Sequence, residues 1–547
     1  MHRFSAALAA LALSAAAAGA AAPDPVAINA QITAPLPPAE AAMKAHVMFL
    51  ASDAMRGREA GSPEYDIAAQ YVAAQFYAAG LRPGGDAGGY LQRVPLVTYK
   101  PAGQGSFVWS ATGKAPRPLV FGTDFVPAGD PARTETSVSA PVVFVGWGID
   151  AARQGVDSYA GADVRGKIVA YVRGAPASLD GEERAFFGQD AQKLRMAAAR
   201  GAVGAVLIAD PNAAPGAMAG PAARYDAGRM TWAEANGRAN TTAPATPLLG
   251  TLSPAAGQAI FAADWAGIAA AARASAPRYR PVRAAGTLTV ALRTAFEPAA
   301  SSNVVGLLPG SDPVLARQIV VLSAHLDHIG VSGTGEGDRI NNGALDNAIG
   351  IASLIEEAKR FTGTPPRRTL MFLAVTAEEK GLVGADYFAQ HPTVARDRLV
   401  ADVNLDMPML LYRFSDMNVY GADRSTLGPI VARAVQAGGA TMSPDPAPEQ
   451  GFFVRSDHFR FVQQGIPSVF LWPGRAGEGK AASEKFLSTC YHRPCDDLTQ
   501  PILWDQGVRF VDINYRIARE IADAPERPVW NRGDYFGTLY KGPMARK

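Results

Sequence analysis

Short apolar runs, each followed by a charged or polar residue, recur along the second half of this chain. Residues 318–324, 369–375 and 399–405 are the clearest. Runs of this length that lack a polar face read as strands of a parallel sheet covered on both sides. Residues 347–355 instead repeat their apolar positions at helical spacing, which predicts a helix opened and capped by Asp346. Residues 331–343, rich in glycine and polar side chains, predict a loop before it. Upstream, residues 65–76 have a helical pattern that stops near Gly80 and Pro83. From about residue 100 to 290 the pattern changes to short strands bounded by glycine, at 140–149, 166–174 and 201–208, with a helix at 191–200. Residues 301–306 then predict another strand. The elements describe an α/β fold, with a mixed, largely parallel sheet flanked by helices and a β-rich insertion.

What the strands deliver at their ends changes the picture. His325 and Asp327 follow the first run, Glu378 and Glu379 the second, and Asp406 the third, so one sheet edge gathers them, where open α/β folds place ligands. With Asp346 and His492 they form an imidazole and carboxylate set, the donors that zinc or a similar divalent ion takes when no thiolate is offered. If Asp346 bridges two metals, each takes one His, one terminal carboxylate and a share of the bridge. Each would keep an open position, the mark of a catalytic rather than a structural centre.

The local motifs carry a resemblance. Ala324-His325-Leu326-Asp327-His328, Asn342-Gly343-Ala344-Leu345-Asp346-Asn347, Ala377-Glu378-Glu379, Asn404-Leu405-Asp406-Met407, Ser456-Asp457-His458 and Tyr491-His492-Arg493-Pro494 resemble, in order, the motifs of the M28 family of co-catalytic metallopeptidases. The resemblance implies a zinc-dependent exopeptidase (phosphorylase/hydrolase-like) fold and two zinc ions per chain, held by His325, Asp346, Asp406 and by Asp346, Glu379, His492. It further implies a water between the metals as nucleophile and Glu378 as general base. Asp327 would fix the His325 ring through its carboxylate. His328 has no ligand role in the family and reads as a packing residue, and His458 as a support of the pocket. Met407, Phe452, Phe453 and Tyr491 are candidates for an apolar substrate pocket. The implied reaction is removal of amino-terminal residues from peptides.

The resemblance also implies a domain plan: peptidase residues 23–100, an inserted protease-associated (PA) domain at 101–290, and the main peptidase part with the metal site at 291–547. Alternatives on the same fold are a glutamate-releasing carboxypeptidase, for which Arg339, Arg413 or Arg455 would have to meet the substrate carboxylate, and a glutaminyl cyclase-like enzyme. A non-catalytic receptor-like protein would be marked by lost metal ligands, and all are present.

Charge and cysteine content add limits. The chain has 52 basic against 50 acidic residues, a net charge of +2 that does not suit a nucleic-acid binder. Met1-His2-Arg3 followed by an Ala- and Leu-rich run to Ala22 reads as a signal peptide over residues 1–22, which predicts export to a bacterial periplasm or beyond. No later segment has the roughly 18 apolar residues of a spanning helix. Cys490 and Cys495 flank His492. In an oxidising compartment they would close a small disulfide loop there, and otherwise remain free thiols.

Overall fold

The computed structural model describes residues 25–214, 216–275 and 279–546. The signal-peptide reading lies outside them. Among the strands that matter here are β1 (Leu91–Pro101), β2 (Glu135–Phe144), β3 (Ile168–Val172), β4 (Gly204–Ile208), β5 (Leu248–Leu252), β6 (Val282–Leu308), β7 (Ile319–His325), β8 (Thr369–Val375), β9 (Leu399–Leu405), β10 (Asp416–Tyr420) and β11 (Ser468–Pro473). The helices used below are α1 (Pro63–Ala78), α2 (Gly181–Gly188), α3 (Asp190–Ala199), α4 (Ile349–Arg360), α5 (Val383–Gln390), α6 (His458–Val462) and α7 (Trp504–Asp523).

The main sheet runs β1, β6, β8, β7, β9, β11, β10. Its four central strands β8, β7, β9 and β11 are parallel, and β6 and β10 pair antiparallel at either side. Every residue of β7, β8 and β9 is buried, which is why none shows a polar face in the sequence. Alternate side chains go to opposite faces. Ile319, Val321, Met371 and Leu373 pack with Ala385 and Phe388 of α5 and Phe461 of α6. Val320, Leu322, Leu370 and Phe372 join the core that contains Ile351 and Leu354 of α4 and Ile517 and Ile521 of α7. Register brings the strand ends level, since His325 stands opposite Val375 and Ser323 opposite Asn404.

The helix after the glycine-rich loop begins two residues later than its spacing predicts. Asp346 (φ −113°, ψ 87°) and Asn347 (φ −136°, ψ 36°) are outside helical geometry, and α4 starts at Ile349. Asn347, not Asp346, does the capping, its Oδ1 accepting from Gly350 N at 3.1 Å. Asp346 is thereby freed to turn its carboxylate toward the histidines.

The insertion builds a second sheet in which β2, β3, β4 and β5 are parallel neighbours. Its junction with the main sheet is a single 27-residue strand, β6. Residues 282–293 of β6 pair with β2 in the second sheet, and residues 294–308 pair with β1 and β8 in the first. Residues 290 and 291, the expected end of the insertion, therefore lie in mid-strand. Arg229–Trp232, also within the expected insertion, adds a strand to β1 of the main sheet. Where α2 meets the main body, Phe186 lies against Phe459 and Phe536 at 6.0 and 5.4 Å between rings. Beside it, Arg424 bridges Glu182 of α2 and Asp534. Among the described residues no helix is long and apolar enough to cross a membrane.

Candidate active site

The strand ends and the loops after them converge on Asp346. His325 Nε2 lies 3.3 Å from Asp346 Oδ1 and 3.1 Å from Asp406 Oδ1. On the other side of the carboxylate, His492 Nε2 lies 3.2 Å from Asp346 Oδ2 and 3.0 Å from Glu379 Oε2. His328 joins this second group, with Nδ1 at 2.7 Å from Glu379 Oε1 and 3.9 Å from Asp346 Oδ2. Ligand atoms of His325, Asp346 and Asp406, and of His328, Asp346 and Glu379, each fall within 4.8 Å of one another.

These side chains are held by groups that come from distant parts of the chain. Asp496 accepts from the backbone N–H of Leu345 (2.8 Å) and Asp346 (3.0 Å), which fixes the turn. Asn347 ties that turn to the end of β9, donating to Leu405 O and accepting from Met407 N at 3.0 and 3.1 Å. Behind Asp406, Ser456 donates to Oδ2 (2.6 Å), Asn404 donates to Ser456 (2.7 Å), and Ser323 donates to Asp402 Oδ1 (2.8 Å). One Asp406 oxygen is thus occupied, and the other faces His325.

Arg58 is fully buried and spans both loops. It donates to Leu326 O (2.8 Å), Leu50 O (3.1 Å), Gly343 O (2.7 Å) and Asp346 O (3.3 Å), and also to Asn342 O. A guanidinium has donors fanned in one plane, which suits it to gathering several carbonyls at once.

Two expectations need correcting. The Asp327 carboxylate does not meet the His325 ring: it accepts from the backbone N–H of Glu378 (3.0 Å) and Glu379 (3.3 Å). His325 Nδ1 faces the Asp327 backbone carbonyl at 3.2 Å instead. Both follow from one geometry, because the side chain at the strand end points across to the neighbouring turn and leaves its own carbonyl beside the ring. His328 is not a packing histidine either. It is buried against Glu379, and its Nε2 has no hydrogen-bond partner among the described residues.

Charge explains the electrostatics. Burial opposes a charged His325, but Asp406, Glu378 and Asp346 outweigh it and raise its pKa well above the usual imidazole value. His492 is pushed up to about 10, with Asp346 and Glu379 overcoming its desolvation. Glu378 is raised well above the usual carboxylate value, first by desolvation and further by Glu379, Asp406 and Asp457, while His325 opposes them. Asp327 and Asp496 are each raised to about 6 by burial. Imidazoles pulled this strongly toward protonation mark a site short of positive charge. Its buried oxygen and nitrogen donors, free of thiolate, fit a divalent cation such as zinc.

The pocket candidates separate. Tyr491 stacks on the His492 ring at 3.9 Å, and Met407 begins the segment just past Asp406. Phe452 is half-buried against Trp472 and Tyr420, at 5.1 and 5.6 Å. Phe453 is fully buried against His458, Phe459 and Phe536, so it belongs to the core rather than to a pocket wall. His458 is buried between Phe453 and Phe470, and desolvation takes its pKa down to about 3, so it is a neutral packing residue. Cys490 and Cys495 are joined by a disulfide. Arg58, His328, Ser456 and Asp496 are the supporting residues whose roles the pattern of the chain does not reveal.

Comparison with known proteins agrees with this geometry. Residues 303–518 match the model of peptidase family M28, and residues 138–246 match the PA domain. Aminopeptidase Y of Saccharomyces cerevisiae is 27% identical over 229 residues, 41% of this chain and 38% of the relative, so the match spans well under half of that protein. A probable zinc metalloprotease of Pyrenophora tritici-repentis is 43% identical over 65 residues, 12% of this chain and 15% of the relative. Among solved structures, the aminopeptidase from Aneurinibacillus sp. strain AM-1 is 20% identical, with 91% of this chain and 97% of that one covered and a TM-score of 0.49. Residues 303–518, with their imidazole and carboxylate site, are thus a metallopeptidase domain of family M28, and residues 138–246 are an inserted PA domain.

Proposed function

We propose that the chain is an exported aminopeptidase with two zinc ions, releasing single residues from the amino end of peptides. The observation that carries this reading is the placement of Asp346 between two donor groups, His325 with Asp406 and Glu379 with His492, 3.0 to 3.3 Å apart. In this reading those five residues hold the metals. His328 and Ser456 hold the outer oxygens of Glu379 and Asp406, so that each presents its other oxygen inward. Bound zinc would polarise the scissile carbonyl and lower the pKa of a water molecule.

The remaining work falls to the chain itself. Glu378 takes a proton from the attacking water and returns it to the departing amine, for which a carboxylate of raised pKa is suited. Asp327 fixes the turn bearing Glu378 through two backbone N–H groups and thereby sets the reach of its side chain. Met407, Phe452 and Tyr491 line the approach for an apolar side chain. The carboxylates around the centre suit a substrate's free α-ammonium group. The names of the relatives favour the same reaction, aminopeptidase Y and a probable leucine aminopeptidase 2 of Aspergillus oryzae among them. Export is supported by the Ala-rich start of the chain and by the Cys490–Cys495 disulfide.

The test is hydrolysis of aminoacyl-p-nitroanilides and of the same peptides with blocked amino ends, with zinc per chain measured alongside. Cleavage of free-amine substrates alone, lost on chelation and in Asp346→Ala together with the metal, is expected. Release of carboxy-terminal residues, or full activity in the metal-free protein, would overturn the reading.

A further inference from the structure

A cavity of about 660 Å³ lies between the inserted domain and the peptidase body, and its wall contains none of the proposed metal ligands. It falls within the roughly 300–1,000 Å³ typical of small-ligand pockets, which favour domain interfaces. Arg173, Arg195, Arg224 and Arg229 line it from the insertion side and Arg460 from the peptidase side, against Asp190 and Asp386. Both carboxylates are already engaged. Asp386 accepts from Trp232 Nε1 (2.7 Å) and Gln390 (3.0 Å) and has Arg460 at 3.7 Å, and Asp190 accepts from the Tyr171 hydroxyl at 3.1 Å.

The arginines are not. Among the described residues Arg173, Arg195 and Arg224 make no ion pair and no side-chain hydrogen bond, and Arg229 reaches only the Tyr99 hydroxyl. Elsewhere the chain pairs such residues readily: Arg360 with Asp512 (3.0 Å), Arg367 with Asp312 (2.8 Å), Arg433 with Glu520 (3.0 Å). A single unpaired guanidinium facing water is unremarkable. Several lining one concave, partly apolar wall focus a positive potential where an anion would sit, and guanidinium groups match carboxylate and phosphate oxygens two at a time.

We propose that this interdomain cavity is a binding site for a small carboxylate- or phosphate-bearing anion, held mainly by Arg195 and Arg224. The site is also joined to the catalytic turn. Arg460 donates to Gly381 O at 3.0 Å, and Gly381 N donates to Glu378 O at 2.8 Å, so an occupant touching Arg460 bears on the turn that carries Glu378. The proposal does not depend on the reaction assigned above.

Titration calorimetry of the zinc-loaded full chain with inorganic phosphate and, separately, with N-acetyl-triglutamate amide tests it. The blocked amino end keeps the second probe from being a substrate, and whichever probe binds more tightly tells whether the oxyanion is a free phosphate or a peptide carboxylate. Expected is binding that weakens with added salt, persists in Asp346→Asn, and falls by about tenfold or more in Arg195→Gln/Arg224→Gln, the loss that follows removal of charge-assisted hydrogen bonds. Arg224 is exposed and Arg195 half-buried, so the unfolding midpoint of the double variant should stay at the wild-type value, and this is measured in parallel. Equal affinity in the double variant, loss of binding in Asp346→Asn, or no binding of either probe at millimolar concentration would each overturn the proposal.

Discussion

The two sheets of this molecule share a construction and differ in use. Both have buried parallel strands ending at a common edge, β7, β8 and β9 in one and β2, β3, β4 and β5 in the other. At the main edge the chain delivers His325, Glu378, Glu379 and Asp406. At the other it delivers groups that serve their own turns: Asp210 accepts from Asn212 N at 2.9 Å, and Ser253 caps the next helix through Ala256 N at 3.2 Å. Lys193 of α3 closes that edge further, donating to Val172 O (2.8 Å) and Gly174 O (2.6 Å). A parallel-sheet edge is thus only an opportunity. It becomes a site when titratable groups stand on it and distant parts of the chain hold them apart from their local partners.

The largest effect should come from Glu378, the carboxylate of the main edge to which the proposed mechanism gives a proton and no metal. Glu378→Gln is expected to retain zinc yet lower kcat on a free-amine substrate by roughly 10²–10⁴. Zinc content and kcat measured on one preparation decide it. Retained turnover would remove Glu378 from the mechanism, and lost zinc would make it a ligand.

Next is the support that the second sheet lacks. Arg58→Met leaves a fan of buried carbonyls without donors and removes the cation facing Asp346, Asp496, Asp327 and Glu379. The cost should be about 3–5 kcal/mol in urea unfolding, of the order found on breaking buried charge interactions. Zinc affinity should fall with it, since the loops carrying His325 and Asp346 lose their common anchor. Normal zinc affinity in a destabilised Arg58→Met protein would make Arg58 a fold residue only.

These supports show what could be read from the sequence and what could not. The strands and their terminal His, Glu and Asp were legible because hydrophobic runs and adjacent motifs are local. Asp496 meets Leu345 across 151 positions and Arg58 meets Asn342 across 284, and no local pattern encodes either partner. The same holds for smaller differences. Asp346 looks like a helix cap in its own neighbourhood, but Asn347 takes the cap once His325 and His492 claim the Asp346 carboxylate. Phe453 is a candidate for an apolar pocket in the sequence, but the ring turns inward to Phe459 and Phe536. The continuous β6 hides the domain junction, because a strand passing from one sheet to another shows no break in its pattern.

The second sheet allows a pH test that the first does not, since it is remote from the proposed metals. Burial lowers the Lys193 pKa to about 7, with Asp190 opposing. Between about pH 7 and the ordinary lysine value of about 10.4, the unfolded chain therefore binds a proton that the native protein does not. Stability should rise with pH across that window, by at most about 1.4 kcal/mol per unit from this group. Lys193→Met should flatten the rise and, at neutral pH, cost about 1–3 kcal/mol through the two carbonyls it leaves unpaired. Hydrolysis at saturating substrate should be unchanged; a fall matching that of Arg58→Met would erase the contrast between the two edges.

The smallest effect sharpens the choice of reaction at the main edge. A carboxypeptidase would need an arginine free to meet the substrate's terminal carboxylate. Arg413, one of the candidates, instead pairs with Asp505 at 2.6 Å, with its own side chain well exposed and Asp505 partly so. Arg413→Ala should change stability by no more than about 1 kcal/mol, as for other surface pairs, and leave KM for free-amine substrates as it was. Arg413 would have to turn away from Asp505 to set both arms of its fork on a substrate carboxylate. If Arg413→Ala instead raised KM for peptides with a free carboxy terminus while sparing their amides, that pair would have to open on binding, and the reaction assigned to this edge would change with it.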